Sequence, residues 1–239
     1  MQKVAQTKLS IVFWLVAFTD IISIVAGWQT MHFIAKILLV PVLLQLIYTA
    51  TAISGKKLLQ IGLVFSWMGD VLLLFESRDK LFFIFGLVCF LTTHVFYIIF
   101  FLSIKSNSKS FLLKQPWWLV LVPAYGVTLA WQLYPKLGDL KIPVIVYAVV
   151  ICTMLLCSLH AFLKIRSPAR HFYWLGATAF VLSDSLLAIN KFYQPFAYAG
   201  VFIMLTYCAA QFFIVKGFLE QEVSTPLSAV ANPDSGINT

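Results

Sequence analysis

The chain alternates long apolar runs with short polar connections along most of its length. A helix that crosses a hydrocarbon core of about 30 Å needs roughly 20 predominantly apolar residues. Each run is close to that length, so the pattern predicts an all-α polytopic membrane protein with eight transmembrane helices. We expect these helices at about 9–27, 31–53, 58–75, 81–104, 116–134, 142–163, 171–190 and 196–219.

The two ends of the chain differ in character. The first apolar run has no clear small-residue cleavage site, and Trp28 follows it at the expected interface. We therefore expect a retained helix rather than a cleaved signal peptide. The C-terminal end is polar and contains Pro226 and Pro233. This contrast predicts a single eight-helix transmembrane domain over 1–219 and a disordered cytoplasmic tail over 220–239.

Composition and charge support a membrane protein and exclude a nucleic-acid partner. Hydrophobic residues make up 61% of the chain and charged residues 11%, whereas a soluble domain carries about 25% charged residues. The net charge of +8 arises from Lys and Arg in short loops, where such residues contact lipid headgroups and set the topology. Eleven of these basic residues fall on the side of both termini and five on the other. We therefore expect cytoplasmic termini. The short loops and the absence of a retention signal suggest a bacterial inner membrane, whereas a eukaryotic homologue is expected in the endoplasmic reticulum.

The third and seventh runs resemble each other. Each has a Gly eight residues before an Asp, a small residue just before the Asp, and Leu two and three residues after it. The pairs are Gly62 with Asp70 and Gly176 with Asp184. Because the two runs are four apart, they suggest two four-helix halves related as a parallel repeat. A chance likeness between two short segments is the alternative.

Asp70, Asp184 and Lys36 are ionisable side chains deep within these runs. At about 1.5 Å per helical residue, Asp70 and Asp184 are roughly 18 and 20 Å from the cytoplasmic ends of their helices. Lys36 enters from the opposite side and lies about 8 Å below it. In a core of about 30 Å these depths nearly coincide, and Tyr147 reaches the same level. The sequence thus predicts a polar pocket that holds two carboxylates and one ammonium group, because ionisable residues inside a membrane usually have a function.

These polar residues have other interpretations. A buried ion pair that only ties helices together is the structural alternative, although burial of ions seldom adds net stability. His94 and Tyr207 lie near the membrane midplane, and His94 can equally be a packing residue. No nucleophile elbow or Gly-rich phosphate loop occurs, so acid–base chemistry by carboxylates remains. We expect no metal, because four histidines at different depths cannot easily converge on one ion; they are His32, His94, His160 and His171.

The same residues carry a resemblance to the YhhN family of membrane proteins, whose characterised members are lysoplasmalogenases. The resemblance spans the chain from Lys36 to Gln211. In one departure, Ile37 stands where family members usually have Pro after the Lys. The matching segments are AKILLVP from Ala35, SWMGDVLLLF from Ser66, FLTTHVFY from Phe90, VY at Val146, FVLSDSLLAINKF from Phe180 and TYCAAQ from Thr206.

The resemblance implies hydrolysis of the vinyl ether bond of a lysoplasmalogen to a fatty aldehyde and glycerophosphoethanolamine or glycerophosphocholine. A vinyl ether hydrolyses when an acid protonates its β-carbon and water captures the oxocarbenium ion. Glycosidases solve a similar problem with two carboxyl groups, and no cofactor is needed. The resemblance therefore implies catalytic roles for Asp70 and Asp184, either of which can be the acid. It implies substrate contacts from Lys36, Tyr147, His94, Tyr207, Gln211 and Asn190.

Two other functional classes use buried carboxylates. A transporter or proton relay would bind its cargo with the same Asp and Lys residues, but the broken helices typical of transporters are scarce here. An intramembrane aspartyl protease would carry a GxGD motif. The segment from Trp67 to Asp70 reads WMGD and lacks the first Gly, and no Tyr-Asp partner motif accompanies it.

Overall fold

The structure is a computed structural model that describes residues 2–50, 54–106 and 108–223. All regular structure in these residues is helical, which confirms the all-α class. Short 3-10 turns at Tyr134–Lys136, Gly138–Leu140 and Phe162–Lys164 and a π-helical turn at Ile189–Tyr193 accompany the α-helices. The α-helices are α1 Gln2–Ala26, α2 Gln29–Tyr48, α3 Lys56–Leu73, α4 Lys80–Ser103, α5 Phe111–Lys114, α6 Trp118–Leu133, α7 Lys141–Ala161, α8 Ala169–Ala188 and α9 Ala199–Val223.

Each predicted apolar run corresponds to one of the long helices. Six of these helices, α1, α2, α4, α7, α8 and α9, are long and apolar enough to cross a membrane. The other two are shorter, since α3 has 18 residues, three of them charged, and α6 has 16. Eight membrane crossings therefore remain a prediction. The last helix continues to Val223, and the rest of the predicted tail lies outside the described residues.

Seven of the long helices form a closed circuit of contacts. Helix α1 packs on α2, α2 on α3, α3 on α4, α4 on α7, α7 on α8, and α8 on α9, which packs on both α1 and α2. Helix α6 packs against α7 from outside this circuit. Large aromatic side chains fill the space among α4, α8 and α9; they are Tyr97, Phe100, Phe101, Tyr173, Phe180 and Phe218.

Glycine brings each aspartate-bearing helix close to the helix that follows it. A Cβ atom on Gly62 of α3 would lie 2.6 Å from the ring of Tyr97 in α4. A Cβ atom on Gly176 of α8 would lie 2.7 Å from the side chain of Ile214 in α9. Both distances are too short for any residue but glycine, so these positions set the tight packing of α3 on α4 and of α8 on α9. Asp70 and Asp184 follow two turns later on the same helices.

Candidate active site

Asp70 lies in the interior of the bundle, where its side chain is only 2% exposed. The hydroxyl of Tyr207 in α9 donates a hydrogen bond to Asp70 Oδ2 at 2.5 Å. The ammonium group of Lys36 in α2 lies 4.0 Å from Asp70 Oδ1. Residues of α2, α3 and α9 thus meet around one carboxyl group. We call Lys36, Ser66, Asp70, Tyr207 and Gln211 the Asp70 cluster.

Hydrogen bonds connect the remaining side chains of the Asp70 cluster to one another and to Tyr97. The hydroxyl groups of Ser66 and Tyr207 lie 2.7 Å apart. Gln211 donates to both of them through its Nε2 atom, and it accepts from the hydroxyl of Tyr97 at 3.0 Å. Buried polar groups are costly unless they are paired. This network satisfies them, and it fixes the position of the Tyr207 hydroxyl that contacts Asp70.

Lys36 is positioned by an unusual contact between α2 and α3. Pro41 has no backbone N–H, so it cannot donate to the carbonyl of Ile37 one turn earlier. The indole Nε1 of Trp67 donates to that carbonyl instead, at 2.9 Å. Trp67 lies three residues before Asp70 on α3. The bond therefore links the backbone next to Lys36 directly to the helix that carries Asp70.

Asp184 forms a second cluster with residues of α4 and α7. The hydroxyl of Tyr147 donates to Asp184 Oδ2 at 2.5 Å, and His94 Nε2 lies 3.1 Å from the same oxygen. His94 Nε2 is also 3.1 Å from the Tyr147 hydroxyl. His94 is fully buried, whereas the side chain of Asp184 is 16% exposed. We call His94, Tyr147 and Asp184 the Asp184 cluster.

Aromatic rings lie between the two clusters. The ring of Phe180 is 5.2 Å from that of His94 and 5.9 Å from that of Tyr207, in edge contacts with both. Seven of the eight residues proposed from the sequence fall into one cluster or the other. The eighth, Asn190, lies in the π-helical turn after α8, where its side-chain oxygen accepts from the Phe196 amide at 3.4 Å. A single cavity that receives both carboxyl groups remains a prediction.

Within the described residues, three openings reach these clusters. A small pocket between α6, α7 and α8 is lined in part by Tyr147 and Asp184. The other two, an apolar groove and a polar cleft, share Leu73 and Leu187 in their linings. The apolar groove is small, about 40 Å³, and Asp184 is part of its wall. The polar cleft is larger, about 560 Å³. The apolar groove is lined by Leu73, Phe83, Phe90, Tyr147, Asp184 and Leu187. The polar cleft is lined by Ser23, His32, Lys36, Glu76, Asn190 and Leu187, among others.

The interior contains a third carboxyl group, that of Asp20, which was not predicted from the sequence. Asp20 of α1 is 0% exposed, and its Oδ1 atom lies 2.7 Å from Nδ1 of His32 in α2. Its other oxygen, Oδ2, has no hydrogen-bond partner in the described part of the chain. Asp20 is the only acidic residue in the apolar run 9–27, and that isolation was the signal available in the sequence. Among the described residues, no three His, Cys, Asp or Glu side chains are arranged to hold a metal ion.

The helical bundle and its buried polar clusters define an integral membrane protein. Residues 31–218 match the YhhN family, and the chain belongs to this family. Asp20 precedes the matched region, whereas the Asp70 and Asp184 clusters both lie within it.

Several relatives of this chain carry functional names. It is 32% identical over 171 residues to the human protein named "Lysoplasmalogenase TMEM86A", covering 67% of this chain and 64% of the relative. It is 33% identical over 168 residues to human "Lysoplasmalogenase TMEM86B", covering 70% and 66%. A "Lysoplasmalogenase" of Mycobacterium tuberculosis is 31% identical over 180 residues, covering 71% and 66%. The chain thus spans about two thirds of the length of these relatives. No solved structure matches it.

Proposed function

We propose that this protein hydrolyses the vinyl ether bond of lysoplasmalogens, releasing a fatty aldehyde and glycerophosphoethanolamine or glycerophosphocholine. The names of its relatives support the substrate class. The observation that carries the proposal is the position of Asp184. This carboxyl group lies in the wall of an apolar groove, next to a polar cleft that contains Lys36. A lysophospholipid is likewise divided into an apolar part, its single chain, and a polar part, its charged headgroup.

Asp184 is the proton donor in this proposal, because a general acid must touch the reacting atom. Tyr147 and His94 both contact Oδ2, and no bond from the described residues reaches Oδ1. A proton on Oδ1 passes to the β-carbon of the vinyl ether, which gives an oxocarbenium ion and an Asp184 carboxylate. Water then adds to the cationic carbon, and Asp184 takes the proton that the water loses. The hemiacetal breaks down to the aldehyde and a free glycerol hydroxyl, so the reaction consumes one water.

Asp70 acts through charge rather than contact. Its side chain is almost fully buried and belongs to none of the linings described above, so it is a poor candidate for proton transfer to carbon. A carboxylate held in a water-poor interior stabilises a nearby cation far better than it would in water. We assign Asp70 this electrostatic role toward the oxocarbenium ion, with Tyr207 and Lys36 holding it in place.

The apolar groove and the polar cleft suggest how the substrate lies. The hydrocarbon chain follows the apolar groove from the lipid phase, and the headgroup occupies the polar cleft. The substrate then passes between Leu73 and Leu187, which line both openings. A vinyl ether lies at the junction of chain and headgroup, and this placement brings it to the part of the groove that Asp184 lines. Entry from the membrane plane suits a single-chain amphiphile.

The direct test is aldehyde release by the purified chain in lipid nanodiscs. We expect release from 1-alkenyl-glycerophosphoethanolamine, and none from the 1-alkyl ether, which cannot form an oxocarbenium ion by protonation. The reaction should slow in D₂O, because a proton is transferred to carbon. Asp139→Asn is the matched control, since Asp139 is exposed and belongs to neither cluster. Failure of the wild-type protein to release aldehyde would contradict the proposal and favour a transporter or proton relay.

A further inference from the structure

The Asp20–His32 pair lies outside the proposed catalytic residues and combines a buried carboxyl group with a histidine at the polar cleft. Asp20 is completely buried, so its carboxylate needs a compensating partner. His32 provides it, with Nδ1 2.7 Å from Asp20 Oδ1. The contact fixes the orientation of the ring, and Nε2 has no hydrogen-bond partner among the described residues. His32 is 28% exposed and lines the polar cleft.

His32 and Lys36 act on the same side of α2. They are four residues apart, so their Cβ atoms lie about 5–6 Å from each other on one helix face. Both line the polar cleft, and each has a buried carboxylate behind it, Asp20 for His32 and Asp70 for Lys36. The imidazole of His32 and the ammonium group of Lys36 thus present two N–H donors toward the same space. The acidic group of the lining, Glu76, is paired with Lys191 at 3.0 Å.

We infer that His32, backed by Asp20, and Lys36 form a binding site for the phosphate group of a lysophospholipid. A phosphate diester carries one negative charge and two free oxygens, which match two N–H donors in number. The cleft volume of about 560 Å³ suits a glycerophosphate headgroup. The inference rests on the proposed function for its lipid substrate. It adds a residue pair, Asp20 and His32, of which Asp20 lies outside the family match.

The test compares two saturated ligands that the protein cannot cleave. One is 1-O-alkyl-glycerophosphoethanolamine, and the other is 1-O-alkyl-glycerol, which has the same chain but no phosphate. Binding of each to the full chain in nanodiscs is measured by calorimetry, with empty nanodiscs as the blank. The ratio of the two dissociation constants reports recognition of the phosphate alone. We expect the wild-type protein to prefer the phosphate ligand by at least about 10²-fold, as charge-assisted hydrogen bonds would give.

The variants are His32→Gln, Lys36→Met and Asp20→Asn. Each should reduce the preference by about tenfold or more while leaving affinity for the alkylglycerol unchanged. His171→Gln and Lys57→Met are matched controls. Both residues are exposed, and each lies near the end of its helix that is far from the cleft. These variants should keep the full preference for the phosphate ligand. Asp20 is buried and its variant is the one most prone to misfolding. The partly exposed His32 then carries the test.

Each outcome bears on the inference. Equal binding of both ligands by the wild-type protein would overturn it, and so would an unchanged preference in His32→Gln. A His32→Gln variant with a lower melting temperature but the wild-type preference would make the Asp20–His32 pair a helix-to-helix link only. Inorganic phosphate should compete only weakly, and competition as strong as that of the lipid would overturn the lipid assignment. Because neither ligand is cleaved, a clear preference without aldehyde release would overturn the proposed reaction and leave the phosphate site standing.

Discussion

The Asp70 and Asp184 clusters differ in what they face. Asp70 is 2% exposed, with Lys36 beside it and a chain of hydrogen-bonded side chains behind it. Asp184 is 16% exposed and forms part of the wall of the apolar groove. One carboxyl group is thus enclosed and the other is partly exposed at the wall of the groove. The difference suggests that two similar positions have taken separate tasks, one electrostatic and one in direct contact with substrate.

The partners of the two aspartates correspond in a way that supports the proposed parallel repeat. Asp70 in α3 meets Lys36 from α2 and Tyr207 from α9. Asp184 in α8 meets Tyr147 from α7 and His94 from α4. If α1–α4 correspond to α6–α9 without the short α5, then α2 matches α7 and α4 matches α9. Each aspartate then takes one partner from the preceding helix and one from the last helix of the other half.

This correspondence shows where the two halves have diverged. Lys36 takes the place of Tyr147, and Tyr207 takes the place of His94, which follows a Thr just as Tyr207 does. The exchange puts a positive charge beside Asp70 and two uncharged or weakly basic groups beside Asp184. A parallel repeat would account for the matched depths that the sequence predicts for the aspartates, and the exchanged partners would account for their different surroundings.

The largest expected effect is that of Asp184→Asn. The amide keeps the shape of the side chain but cannot supply the proton, so kcat for aldehyde release should fall by about 10²–10⁴-fold. The melting temperature should change little, because the amide can still accept from Tyr147. Aldehyde release by purified variant and wild-type protein, each beside Asp139→Asn, measures the effect. Near-normal turnover would remove Asp184 from the chemistry.

Asp70→Asn should be the next most damaging change. Loss of a buried charge near the oxocarbenium ion should lower kcat by about 10²-fold. The double variant should lose less than the product of the two single losses, because both groups act in one step. A larger loss for Asp70→Asn than for Asp184→Asn in the same aldehyde assay would reverse the two roles.

Much of this arrangement was accessible from sequence. Apolar runs predicted the long helices, and the depth estimate brought Lys36, Asp70 and Asp184 to one level. Depth along a helix says nothing about which neighbour a side chain faces, however, and the direction around the axis depends on how the helices pack. The division into two clusters therefore could not be predicted. The π-helical turn that places Asn190 in the lining of the polar cleft could not be predicted either, because no sequence pattern indicates it.

The tyrosines give a sharper comparison with smaller effects. Tyr147→Phe removes a donor to Asp184 at the groove, so kcat should fall by about 10-fold to 100-fold with a small change in stability. Tyr207→Phe removes the hydrogen bond to Asp70 and takes one hydrogen bond each from Ser66 and Gln211 in the interior. This second variant should lose about 1–3 kcal/mol of stability in addition to activity. Thermal unfolding in detergent and aldehyde release, measured on both variants, test the contrast. Equal losses of stability would contradict it.

The smallest expected effect concerns the contact that positions Lys36. In Trp67→Phe the Ile37 carbonyl loses its donor, and Pro41 prevents the helix from supplying another. The variant should lose about 1–3 kcal/mol of stability, and KM should rise a few-fold as Lys36 shifts.

The decisive comparison introduces Trp67→Phe into both the wild-type protein and a Pro41→Ala variant. Alanine restores the backbone N–H that α-helical geometry directs to the Ile37 carbonyl. If the Trp67 bond substitutes for that lost helical bond, Trp67→Phe should cost much less in the Pro41→Ala protein than in the wild type. The coupling between the two changes, measured as a double-mutant cycle on melting temperature and KM, isolates this contact from the general loss of an indole ring. Fully additive effects would mean that Trp67 contributes only packing, and that Lys36 is held beside Asp70 by other contacts of α2.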